Sequence, residues 1–240
     1  MSPVVKFVRS FRISRAKEVP LSDRLRLAAR VAPISWRLLG DGMAHSDGQI
    51  YTLIDAVLTR PHVPGVIVEA GAYRGVGTAK FSHLAAMTDR RLVVFDSFEG
   101  LPANEEPHEQ SILGHSIEGW FEEGQYAGTL AEVRDTVARF GRPEYVEYVK
   151  GWFEDTMPGF DEEVAVAYLD VDLASSTRTC LKYLWPLVSP GGAVVSQDGD
   201  FPLVIDVFDD DVFWEQELGC AKPSMDGLGQ SKMVVIRKAV

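Results

Sequence analysis

From residue 65 onward the chain alternates short apolar runs with helix-length amphipathic stretches, and few folds accept that alternation. A run that is apolar without a break suits a strand covered on both faces, so the pattern predicts an α/β domain: a mostly parallel twisted sheet with helices on both faces. Strands are predicted at Val66–Ala70, Leu92–Phe95, Val146–Lys150, Val164–Leu169, Ala193–Ser196 and Met233–Arg237. Helices are predicted over Gly75–Met87, Leu130–Phe140, Ser175–Val188 and Leu203–Leu218, with Pro190-Gly191-Gly192 stopping the third. One such core accounts for residues 61–240, preceded by an N-terminal helical arm over residues 1–60 whose Ile50–Leu58 stretch forms a pocket wall.

The segment Leu101–Gln125 breaks the pattern with scattered Pro and Gly and with His108 and His115, and it is read as a lid over the substrate side. A formal charge of -11 disfavours nucleic acid as substrate. Residues 1–37 run against that charge, with nine Lys or Arg (Lys6 to Arg37) against Glu18 and Asp23. No apolar run long enough for secretion or a membrane span accompanies them, so an exposed amphipathic helix or arm is expected, with a possible role in a homo-oligomer. Cys180 and Cys220 are too few and too isolated for a disulfide framework or a thiolate metal site. They read as buried small hydrophobes in a cytoplasmic protein.

The first predicted strand ends in Glu69-Ala70-Gly71-Ala72-Tyr73-Arg74-Gly75-Val76-Gly77-Thr78, a glycine turn running straight into a helix. Glycines there let a ligand approach the backbone, but the spacing is not the G-x-G-x-x-G of a dinucleotide site, and Glu69 would repel a pyrophosphate. An acid two residues before the first glycine suits a cationic ligand. The string E-x-G-x-x-x-G resembles the S-adenosylmethionine motif of class I methyltransferases. Asp96, 25 residues after Gly71, ends the second strand, where a carboxylate can accept both ribose hydroxyls. The third strand ends in Lys150-Gly151-Trp152-Phe153, and Trp152 or Phe153 offers a flat wall to adenine.

The fourth strand runs into Asp170-Val171-Asp172 and the fifth into Gln197-Asp198-Gly199-Asp200, both at the carboxyl edge of the sheet where open α/β folds bind ligands. So many acids in one place need a cation or a proton between them, and a hard divalent ion, Mg²⁺ for preference, is the simple resolution. Asp170 and Asp198 are the expected participants, with Asp172 and Asp200 read as solvated loop acids.

These strings together resemble the macrocin O-methyltransferase (TylF-type) family. From about Val63 to Lys238 the match runs through Val63-Pro64-Gly65, Val68-Glu69-Ala70-Gly71, Phe95-Asp96-Ser97-Phe98-Glu99-Gly100-Leu101-Pro102, Gly151-Trp152-Phe153-Glu154-Asp155-Thr156, Leu169-Asp170-Val171-Asp172 and Ser189-Pro190-Gly191-Gly192. The resemblance implies a Rossmann-like class I methyltransferase fold with an antiparallel C-terminal edge strand, and O-methylation of a hydroxyl, expected on a sugar of a small-molecule antibiotic or other natural product. It implies a cofactor site for S-adenosylmethionine at Glu69, Gly71, Ala72, Tyr73, Thr78, Asp96, Ser97, Gly151 and Trp152. It also implies a Mg²⁺ site at Asp170, Gln197 and Asp198, where Gln197 departs from the family by replacing a carboxylate with a neutral amide.

Asp170 is the expected general base for in-line transfer of the sulfonium methyl group, with His108 or His115 as the alternative. Two other readings remain open at this point: an NAD-dependent enzyme on a related fold, and a methyltransferase-like binding protein without catalysis.

Overall fold

The computed structural model of the protein describes residues 18–37 and 47–240, apart from the side chains of 35–37 and 47–48. Its strands are β1 (Val66–Ala70), β2 (Leu92–Asp96), β3 (Val146–Lys150), β4 (Val164–Leu169), β5 (Val188–Ser196), β6 (Met225–Asp226) and β7 (Val234–Arg237). They form one sheet in the order β3-β2-β1-β4-β5-β7-β6. The first five pair in parallel, and β7 runs antiparallel to both β5 and β6. The predicted antiparallel strand is therefore present, with the two-residue β6 lying outside it.

Because strand side chains alternate, each central strand feeds two cores. Val68, Val93, Ala167 and Leu169 point to one face with α5 (Ala174–Leu184) and α6 (Pro202–Asp209). Ile67, Val94, Val166 and Tyr168 point to the other, under α1 (Leu21–Arg37), α2 (Asp47–Leu58), α3 (Val76–Thr88) and Val133 of α4 (Leu130–Phe140). The arm is thus not merely exposed: Leu27, Ala28, Val31 and Ala32 of α1 are buried in that second core, while its basic residues from Lys6 to Lys17 lie outside the described residues. None of the described helices is long and apolar enough to cross a membrane.

Two expected boundaries move. Pro190-Gly191-Gly192 stops no helix, since α5 ends at Leu184 in a 3-10 turn at Trp185–Leu187 and β5 already begins at Val188. The helix predicted over Leu203–Leu218 is broken at Asp210, whose carboxylate accepts the N–H of Phe213 at 3.0 Å and starts a separate π-helical turn at Phe213–Glu217. Cys180 is buried as expected, whereas Cys220 is only half-buried.

Candidate active site

The loops after β1 to β5 open onto a cavity of about 260 Å³ at the carboxyl edge of the sheet. Gly71, Tyr73, Asp96, Ser97, Gly151, Trp152, Phe153, Asp170 and Gln197 all line it, so the structure gathers most of the predicted residues around one space. Glycine is required at 71: its φ is +86°, and a Cβ there would meet the carbonyl oxygen of Asp170 at 2.0 Å. The Asp96 carboxylate is held by the backbone N–H groups of Ala72 and Phe98, each at 2.6 Å. A carboxylate has about four acceptor sites, so both oxygens can still take a hydroxyl. Burial raises its pKa, against the pull of those N–H donors.

Glu69, Ala72 and Thr78 do not line the cavity. Glu69 is fully buried on the α3 side of β1, and burial pushes its carboxyl up to about 8, with Asp96 raising it further and Thr78 opposing. Ala72 takes part through its backbone, by orienting Asp96.

The floor differs from expectation. Carboxylate oxygens of Asp170, Asp172 and Asp198 lie within 4.8 Å of one another, so Asp172 completes the cluster in which Gln197 was predicted. Gln197 has its Oε1 engaged by the Tyr168 hydroxyl at 2.5 Å. Asp172 is not a solvated loop acid, and neither is Asp200, which is buried. Asp198 is fully buried: its Oδ2 accepts the N–H groups of Val171 and Asp172, both at 3.1 Å, and its Oδ1 has no partner. Burial pushes all three carboxyls up; repulsion from Asp198 and Asp172 adds to that at Asp170, and from Asp198 at Asp172, while the charge on Lys232 opposes it at each. Lys232, Trp120 and Tyr126 also line the cavity, and no sequence motif pointed to them.

From the segment 101–125, Leu101, Pro102, Trp120 and Phe121 line the cavity. The segment is an Ω-loop closed at its neck, where Leu101 N–H donates to Gln125 O and Gly124 N–H to Leu101 O, both at 2.9 Å. Its tip is fastened to the acidic loop by Ile112 N–H donating to Asp200 O at 2.9 Å. Glu106 accepts the N–H groups of Ala174 and Ser175 at 2.8 and 2.9 Å and so caps α5 from 68 residues away. His108, the alternative base, is buried beside Glu106 at 3.1 Å and against the Phe121 ring at 4.5 Å, while His115 is exposed. Neither lines the cavity.

Backbone strain marks the same region. Of the five non-glycine residues with positive φ among the described residues, Tyr73, Tyr126 and Asp172 line the cavity. Such conformations cost of order 1–3 kcal/mol each and persist where surrounding structure enforces them.

The sheet order and the cavity above its carboxyl edge define a class I methyltransferase fold, shared with the O-methyltransferase NovP at a TM-score of 0.70, 22% identity, and coverage of 91% of this chain and 100% of that one. The chain belongs to the macrocin-O-methyltransferase (TylF) family, whose model matches residues 6–210. That match reaches much further upstream than the motifs from Val63 onward, and it stops before β6 and β7. Among curated proteins it is 37% identical over 146 residues to 8-demethyl-8-(2,3-dimethoxy-alpha-L-rhamnosyl)-tetracenomycin-C 4'-O-methyltransferase of Streptomyces olivaceus, covering 57% of this chain and 53% of that one. It is 32% identical over 149 residues to mycinamicin III 3''-O-methyltransferase of Micromonospora griseorubida, covering 60% and 58%. The chain thus spans about half the length of the curated relatives it matches.

Proposed function

We propose that this protein transfers the methyl group of S-adenosylmethionine to a hydroxyl of a small-molecule natural product, a sugar hydroxyl for preference. One observation carries the reading: the glycine turn at Gly71, the Asp96 carboxylate and the Trp152 wall share a single cavity with Asp170. In this reading Asp96 takes the ribose hydroxyls and Trp152 with Phe153 flanks the adenine. Ser97, Tyr73 and Gly151 complete the cofactor walls, while Glu69 and Thr78 lie buried behind the β1 turn. The names of the curated relatives, both O-methyltransferases of large natural products and one of a rhamnosyl group, support an acceptor of that class.

The acceptor hydroxyl gives its proton to Asp170 as its oxygen attacks the methyl carbon, and the C–S electrons return to sulfur to leave S-adenosylhomocysteine. A carboxylate whose pKa is raised by burial and like charge is a better base than a solvated one. The three clustered carboxylates, one with a buried unpartnered oxygen, fit a hard divalent ion such as Mg²⁺. Asp170, Asp172 and Asp198 would hold it, and when bound it would acidify a nearby hydroxyl.

Calorimetry with S-adenosylhomocysteine and with NADH tests the cofactor assignment: binding of the first and not the second is expected. Asp96→Ala should weaken that binding by about 1.5 to 3 kcal/mol through the loss of charge-assisted hydrogen bonds. Unchanged affinity would remove Asp96 from the site. Methyl transfer to any glycosylated acceptor rejects the reading of a binding protein without catalysis.

A further inference from the structure

Lys232 reaches the cavity from a stretch just before β7, beyond the last residue matched by the family. Among the described residues it is the only lysine or arginine lining that space. Its place is fixed by backbone: Gly199 N–H donates to Lys232 O at 2.9 Å, and a Cβ at Gly199 would meet Val234 Cγ2 at 2.2 Å and Lys232 O at 3.2 Å. The acidic loop and the approach to β7 therefore lie against each other with no room for a side chain between them.

The ammonium stands 5.6 Å from the centre of the Phe201 ring, and its charge acts on Asp170, Asp172, Asp198 and Asp200. The nearby lysines are committed elsewhere. Lys222 pairs with Asp209 and Asp211, and Lys238 donates to the carbonyls of Trp185 and Pro186. The buried Oδ1 of Asp198 has no hydrogen-bond partner, so the floor holds an acidic oxygen that no protein donor satisfies.

We propose that Lys232 is the resident counter-ion of this floor: its ammonium competes with a divalent cation for the field of Asp170, Asp172 and Asp198, so that metal binds more weakly than the three carboxylates alone would hold it. Like charges facing each other across a site of intermediate dielectric change an ion's affinity by about tenfold or more.

The test is Mn²⁺ binding to the full chain, followed by electron paramagnetic resonance, in the wild type, Lys232→Met and Lys232→Arg. Lys232→Met should bind Mn²⁺ about tenfold tighter or more, Lys232→Arg should stay near the wild type, and adding Asp172→Asn should remove the gain. Equal Mn²⁺ affinity in all three proteins overturns the proposal, as does a gain that survives Asp172→Asn. Should Lys232→Met fail to fold, Lys232→Gln makes the same comparison. In turnover, Lys232→Met should be half-saturated by Mg²⁺ at a concentration about tenfold lower than the wild type. That last arm depends on the methyl-transfer reading, whereas Mn²⁺ affinity does not, so the two can fail separately.

Discussion

Asp170 sits where the glycine turn, the acidic floor and the acceptor side of the cavity meet, because β4 delivers it directly beside Gly71. Asp170→Asn keeps the shape and removes the proposed base. Turnover should fall by about 10² to 10⁴, the usual worth of a positioned base, while S-adenosylhomocysteine affinity measured by calorimetry stays close to that of the wild type. Full activity in the variant would end the assignment. Glu69 makes a different prediction, about stability. Burial lifts its carboxyl from an ordinary 4.5 to about 8 in the folded protein, so across that window the native state holds a proton that the unfolded chain has released. Stability from this group is complete at low pH and is lost as pH rises toward 8. Glu69→Gln should therefore flatten the decline of melting temperature between pH 5 and pH 8 in cofactor-free protein, and identical slopes would place the proton elsewhere.

At the scale of elements, β1, β3, β4 and α4 fall where periodicity places them, since each is a clean run bounded by turn residues. Errors arise where a local signal is overruled by a distant partner. Pro190-Gly191-Gly192 reads as a stop, yet Gly191 N–H bonds Lys238 O and Gly192 O accepts from Lys238, which draws the segment into β5. The cap on α5 was illegible for the same reason: Leu173 offers no capping side chain, and Glu106 comes from the Ω-loop. That tie is testable. Although burial pushes the Glu106 carboxyl up, hydrogen bonds from His108, Ser175 and Ala174 outweigh it and hold the group at about 2. Its stabilisation is present above the ordinary 4.5 and is lost as pH falls toward 2. Glu106→Ala should cost about 1 to 2 kcal/mol in a denaturant melt at neutral pH, as lost helix caps do, and raise KM for the acceptor more than it lowers kcat. A variant with wild-type stability would mean that the loop is held by its backbone hydrogen bonds and aromatic contacts without the Glu106 cap.

At the scale of the molecule, the glycine-turn side of the cavity was more legible in the sequence than the acidic floor. Asp96 ends a strand and Gly71 and Trp152 each follow one within two residues, so strand prediction locates them. Asp172 was misjudged because its left-handed backbone, with φ at 61°, turns the side chain into the cluster instead of out to solvent, and no propensity announces that for an aspartate. Lys232 and Trp120 lie far along the chain from every motif, and only the closed sheet edge and the folded loop bring them in.

The pinched neck of the Ω-loop has an evolutionary consequence. Two hydrogen bonds hold residues 101 and 124–125 side by side, so the whole excursion enters and leaves the scaffold at nearly one point. Such a piece can be exchanged like a cassette, with the strand tips beneath it left in register. Replacing residues 102–123 with the equivalent stretch of a relative should redirect the choice of acceptor, measured as kcat/KM over a panel of glycosides, while S-adenosylhomocysteine binds as before. Lineages could then acquire new acceptors by trading one short segment, and keep the donor machinery unaltered.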